Sequence, residues 1–115
     1  MYIASLENTP KTKIDMEGAY KVFKQIPLSS KHGAPTCSFR VFTLEPGGHT
    51  PLHRHENEHM NYIIEGAGNL VIQGKHYNVK KGDFALVLPG EEHQYRNTST
   101  DEPMVMICAV PKEYE

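Results

Sequence analysis

Short apolar runs alternate with glycine-marked turns along most of this chain. Gly66, Gly74, Gly82 and Gly90 recur every eight residues, and the segments NLVIQ, HYNVK and FALVL between them are β-branched, aromatic or alternately apolar. A strand of that length turns one parity of side chains inward and the other to water. The pattern therefore predicts strands near 39–44, 51–55, 59–65, 69–73, 76–79, 83–88, 93–96 and 104–110. Gly-Lys at 74–75 and Lys-Gly at 81–82 read as hairpin loops, where glycine takes a positive φ at no steric cost. Eight short strands make a sandwich or barrel, so the expected fold is all-β.

The first 38 residues carry a mixed signal. Met16, Ala19, Tyr20 and Phe23 fit a helical period, whereas Tyr20, Val22, Lys24 and Ile26 fit a strand alternation about as well. We read Tyr20–Gln25 as a strand and 28–37, with Ser29, Ser30, Gly33 and Pro35, as a loop. Residues 1–38 then supply N-terminal strands and a loop, and 39–110 supply the barrel core. The length of 115 residues fits a single domain, 1–115. At the other end MVMICAV has no polar parity, so a strand there needs cover on both faces. Met104 and Met106 fill core space in either case. The second face would meet another sheet layer or another subunit, and a homodimer is the expectation.

Charge and composition narrow the function. A net charge of -2 provides no field for polyanions, so nucleic acid and anionic membrane surfaces are not expected partners. The longest apolar run, Met104–Val110, is far short of the about 20 residues a spanning helix needs. The opening MYIASLENTPKTK has no apolar signal core. Cys37 and Cys108 make no disulfide framework and suit thiols in a reducing compartment, which gives a cytoplasmic expectation.

Histidine is the unusual residue. There are seven, and His49, His53, His55 and His59 fall within eleven positions. In an extended chain His53 and His55 point the same way, so both imidazoles can reach one ion. His59 follows the polar turn Glu56-Asn57-Glu58, and His93 follows the Pro89-Gly90 turn at another strand start. Three or four neutral imidazoles suit Zn, Cu, Fe, Ni or Mn. An exposed H-x-H pair also binds Zn or Ni adventitiously, which leaves a non-functional explanation open.

These residues resemble a known pattern. Gly47, His53, His55, position 59 and Gly66 meet the spacing of the first cupin motif, G-x5-H-x-H-x3,4-E-x6-G. Gly82, Pro89, Gly90, His93 and Asn97 are similar to the second, G-x5-P-x-G-x2-H-x3-N, with one residue more before the proline and none between proline and glycine. The resemblance implies a cupin-type double-stranded β-helix, a jelly-roll barrel. It also implies a metal site of His53, His55, His59 and His93, with histidine in the usual glutamate position, as in small cupins that bind manganese, iron or other divalent metals. One divalent transition metal per chain is expected, manganese or iron in preference to zinc, nickel or copper. Imidazole in place of carboxylate leaves a divalent site one unit more positive, which favours anionic substrate oxygens. Four ligands on an octahedral ion leave two positions free.

Strand parity from His59 turns Asn61 and Ile63 towards the site. Asn61 is therefore either a polar group that orients a ligand or an ordinary satisfied amide. Tyr95 shares the parity of His93 and Cys108 lies mid-strand, so both are pocket candidates as well as ordinary core residues. His49 has a possible rim position, whereas His32, His76 and Cys37 read as surface. No catalytic residue is assigned. The expected function is a metal-dependent enzyme on a small oxygenated molecule, a dioxygenase or an isomerase or lyase. The alternatives are a small-molecule or metal-binding sensor module without turnover and a structural storage-type barrel. No element for DNA binding is present.

Overall fold

The computed structural model describes residues 1–115. Nine strands form: β1 (Thr12–Lys13), β2 (Tyr20–Leu28), β3 (Cys37–His49), β4 (His59–Glu65), β5 (Ala67–Ile72), β6 (Lys75–Lys80), β7 (Phe84–Val87), β8 (His93–Arg96) and β9 (Met104–Pro111). Two single 3-10 turns, Ser30–His32 and Lys112–Tyr114, are the only helical pieces. All ladders are antiparallel, in the order β6-β5-β8-β3-β9-β4-β7, with β2 also on β3 and β1 on β2. The fold is the expected all-β jelly roll, a sheet curled into a half-barrel. No helix is long and apolar enough to cross a membrane.

β3 is the hinge of the curl. Its first half pairs with β9 from Cys37↔Pro111 to Leu44↔Met104, and its end pairs with β8 through His49↔Arg96. Between the halves the chain bends at Pro46-Gly47-Gly48. A Cβ on Gly48 would lie 2.8 Å from the carbonyl oxygens of Tyr20 and Lys21, so only glycine lets β2 approach the bend. Asn97 locks it: its backbone N–H donates to Gly48 O, and its Nδ2 donates to Leu44 O and Glu102 O. The asparagine of the second motif is thus a brace of the barrel corner. Gly66, which closes the first motif, has φ +81°, and a Cβ there would collide with the carbonyl oxygen of Pro103.

The core collects the inward parities of the curl: Val22, Leu44, Ile63, Leu70, Val79, Tyr95, Met104 and Met106, with Ile14 from the N-terminal segment packed against them. Every one except the aromatic ring of Tyr95 is aliphatic or a thioether, the shapes that interdigitate between two curved sheets.

Several expectations need correction. Residues 51–55 do not form a strand; only one bridge, His53↔His93, ties that segment down. Pro51 has no N–H to donate, and the inward-outward alternation of burial continues through the segment without a ladder. Lys81-Gly82 is not a hairpin loop, because β6 pairs with β5 and β7 pairs with β4; the turn carries the chain from one end of the strand order to the other. The β5–β6 hairpin does exist, with Gln73 and Gly74 at φ 48° and 79° as its two-residue turn. Cys37 opens β3 instead of lying in a loop, and β3 runs well beyond 39–44, while Tyr20–Gln25 extends to Leu28.

Candidate metal centre

The four candidate histidines come from three places and meet at one end of the barrel. His53 and His55 lie on the loop between β3 and β4, His59 opens β4 and His93 opens β8. The loop is zipped to the β8 entry. His53 N donates to His93 O at 3.1 Å, His93 N to His53 O at 2.9 Å, and Gly90 N to His55 O at 2.8 Å. The backbone therefore holds the rings before any ligand does.

The ring nitrogens of His53, His55 and His93 lie within 4.8 Å of one another, and the two Nε2 atoms of His53 and His55 are 2.9 Å apart. At metal–nitrogen distances of about 2.1 Å, two ligands at a right angle are about 3.0 Å apart, so the pair suits one ion. His93 Nδ1 lies 2.9 Å from the carbonyl of Glu91. A carbonyl only accepts, so Nδ1 carries the proton and Nε2 keeps its lone pair for the pocket. His59 stands beside this trio, its ring stacked on His55 at 4.1 Å and 5.6 Å from that of His93. Glu58 points outward and is exposed.

Burial first, and then the charges of neighbouring groups, favour the uncharged rings of His53, His55 and His59. Desolvation, then the neighbouring His55 and His93, lowers His53 to about 4. Desolvation, then the guanidinium of Arg40, lowers His59 to about 3. His55 is lowered in the same way, by desolvation first and then by His93 and Arg40. Neutral imidazoles with free lone pairs are the form a divalent ion requires. The donor set fits such an ion.

Behind the rings lies a cavity of about 380 Å³. The other sequence candidates line it. Asn61, 4% exposed, accepts a 2.9 Å hydrogen bond on Oδ1 from the hydroxyl of Tyr95, 3% exposed. Its carbonyl is thus occupied and its amide NH2 is the end left for the pocket. Burial raises Tyr95, with Cys108 adding to the effect, so the phenol stays protonated as the donor. Cys108 is buried on the same wall. His49 is kept away from the cavity by contacts with Thr50, Gln94 and Tyr20. His76 is on the surface, bonded to Asn69, but His32 caps the first 3-10 turn instead of facing only solvent.

Among the lining residues that the sequence did not mark as site candidates, two are basic residues on the long strands β2 and β3. Arg40 donates from Nη2 to Cys108 Sγ at 3.0 Å, and Lys24 lies on the same lining. The signal was available: Arg40 shares parity with Phe42 and Leu44, and Lys24 with Val22. A basic residue on the apolar parity of a strand faces the interior.

Comparison with known proteins decides the family. The Cupin domain family matches residues 40–110, more than half of the chain. The chain belongs to the cupin family. This cupin is 30% identical over 95 residues to a 5-aminosalicylate 1,2-dioxygenase of Comamonas sp, a match that covers 76% of this chain and 25% of that protein. It superposes on the polyketide cyclase RemF of Streptomyces resistomycificus with a TM-score of 0.91 and 25% identity, over 97% of this chain and 80% of the other. A predicted oxalate decarboxylase from Thermotoga maritima gives a TM-score of 0.83 and 26% identity, over 96% and 98% of the two chains. The chain spans a quarter to about half the length of the first curated relatives it matches. Its relatives thus include enzymes of several reaction types on small molecules, which supports a cupin enzyme or binding role.

Proposed function

We propose that this cupin holds one divalent transition metal per chain, manganese or iron in preference to zinc, nickel or copper, through His53, His55, His59 and His93. On this reading it is a metal-dependent enzyme on a small oxygenated molecule, by dioxygenase-type oxidation or by isomerase or lyase chemistry. The observation that carries the reading is the convergence of histidine ring nitrogens on one cavity, with His93 Nδ1 engaged by the Glu91 carbonyl so that its Nε2 is left for the pocket. The metal, when bound, supplies a Lewis acid and an anchor for substrate oxygens. The chain's own residues do the rest. Asn61, held by Tyr95, offers amide protons to a bound oxygen atom, while Ile14, Phe42 and Met106 wall the cavity with apolar surface and limit water.

The reading is tested by anaerobic loading with Fe(II) or Mn(II), then oxygen uptake and proton NMR against a panel of small enolisable acids. Substrate-dependent turnover that disappears in His53→Ala/His55→Ala is the expected result. One observation favours a second reading, a sensor module without turnover: Asp15 is the only carboxylate on the lining, and it is exposed. Tight binding of panel members with no turnover under either metal would support that reading and overturn the first.

We also propose that residues 1–115 act as one unit, since the N-terminal Leu6 and Thr9 carbonyls accept from Gln25 on β2. The outward faces of β9, β4 and β7 carry Ile107, Met60 and Phe84, the last 81% exposed. We assign this apolar row to a second copy of the chain, which would give β9 the cover its all-apolar sequence calls for. Two unpaired cysteines, one exposed and one buried, are compatible with a reducing cytoplasm.

A further inference from the structure

We propose that the molecule this cupin takes is a small carboxylic acid, and that the Arg40 guanidinium holds its carboxylate. The inference rests on the reading of the cavity as the substrate site and adds the substrate class.

Arg40 is 9% exposed, lies on the cavity lining and has no carboxylate partner: the two ion pairs of the chain are Arg54–Glu92 and Lys80–Asp83. A buried charge without a counter-ion is costly and persists only where something uses it. Partial compensation exists, because Nη2 donates to Cys108 and the guanidinium stacks on Phe42 at 5.1 Å. The Nε–H remains buried with no acceptor at all, the one such side-chain atom in the protein. Register places Arg40 beside Cys108 and Asn61 on the inner wall of β3, β9 and β4, one step from the row of His59. Lys24 and Lys13 add two further cations to the same lining, against one carboxylate, the exposed Asp15.

An anion is thus the missing piece of this cavity. A carboxylate fits a guanidinium edge better than it fits an ammonium, because two oxygens meet two parallel N–H donors. The apolar walls suit the carbon skeleton of an aryl or branched aliphatic acid. The free amide of Asn61 then lies on the same wall for a second oxygen.

Benzoate and its neutral isostere benzamide are the probes, titrated calorimetrically into metal-free and Mn(II)-loaded protein. Metal-free wild type is expected to bind benzoate at least about tenfold more tightly than benzamide. Arg40→Met is expected to bring the two within about twofold while folding at least as stably as wild type, since it removes an unpaired buried charge. Arg40→Lys, which keeps the charge but loses the fork, is expected to weaken benzoate several-fold and leave benzamide unchanged; it also serves if Arg40→Met does not fold. Equal binding of the two probes by wild type would overturn the proposal, as would a preference that survives both substitutions. An equal response to inorganic phosphate would overturn the assignment to carboxylates. Metal content, measured on the same samples, reports separately on the histidine site, so a failed metal centre and a failed anion contact give different results.

Discussion

Acid should weaken the metal-free protein through the histidine rings themselves, and the sign follows from their shifted titration. His53 and His59 titrate near 4 and 3 in the folded chain, against about 6.5 when unfolded. Between those values the unfolded state binds more protons, so stability is complete above about pH 6.5 and falls as pH drops. At pH 4.5, two units into that window, each ring would cost about 2.7 kcal/mol without solvent screening. Both rings are half-buried, and screening reduces this to about 1 kcal/mol each, about 2 kcal/mol for the pair. For a chain of this length that is a fall of about 8 °C in the thermal midpoint. The assay is thermal unfolding of chelator-stripped protein from pH 7 to 4.5, wild type against His53→Gln/His59→Gln. Carboxylate titration is common to both, so the difference in slope belongs to the rings. Parallel slopes would refute the argument that these histidines are held neutral by the fold. Metal-loaded protein should show a steeper fall, because protons then also compete with the ion.

Two further outcomes follow from contacts around the cavity. Asn61→Ala leaves the Tyr95 hydroxyl buried without a partner and should cost about 1–3 kcal/mol in urea unfolding, whereas adding Tyr95→Phe should recover most of it; additive losses would show that the two groups do not depend on each other. Phe84→Glu places a charge in the exposed apolar row of β7 and should convert a dimer to a monomer in sedimentation velocity, and a wild type that is already monomeric at micromolar concentration would refute the second-copy assignment.

The parts of this protein legible in its sequence are those set by local periodicity. The eight-residue glycine rhythm marks turns, and alternation between them marks strands, so β4 to β9 were readable with small errors at the ends. His53 and His55 were readable as a pair because i and i+2 face one way even where no ladder forms. What could not be read depends on which strands pair. Lys81-Gly82 has the local chemistry of a hairpin, but β7 leaves for β4 across the barrel, a choice made by long-range packing. Arg40 and Lys24 escaped notice because a charged residue on a strand is usually on the wet side, although their parity with Phe42, Leu44 and Val22 marked the inner face; the register of β3 with β2 and β9 agrees with that parity. The two-residue strand β1 carries too few residues for any periodicity to register.

The central claim is that the four histidines hold a metal, and the most direct measurement is elemental analysis by plasma mass spectrometry of untagged protein purified without added metal. The account predicts about one equivalent of iron or manganese per chain, lost in His53→Ala/His55→Ala while the protein stays folded at neutral pH. Folded wild-type protein with no bound transition metal, and none taken up on titration with Mn(II) or Fe(II), would contradict it.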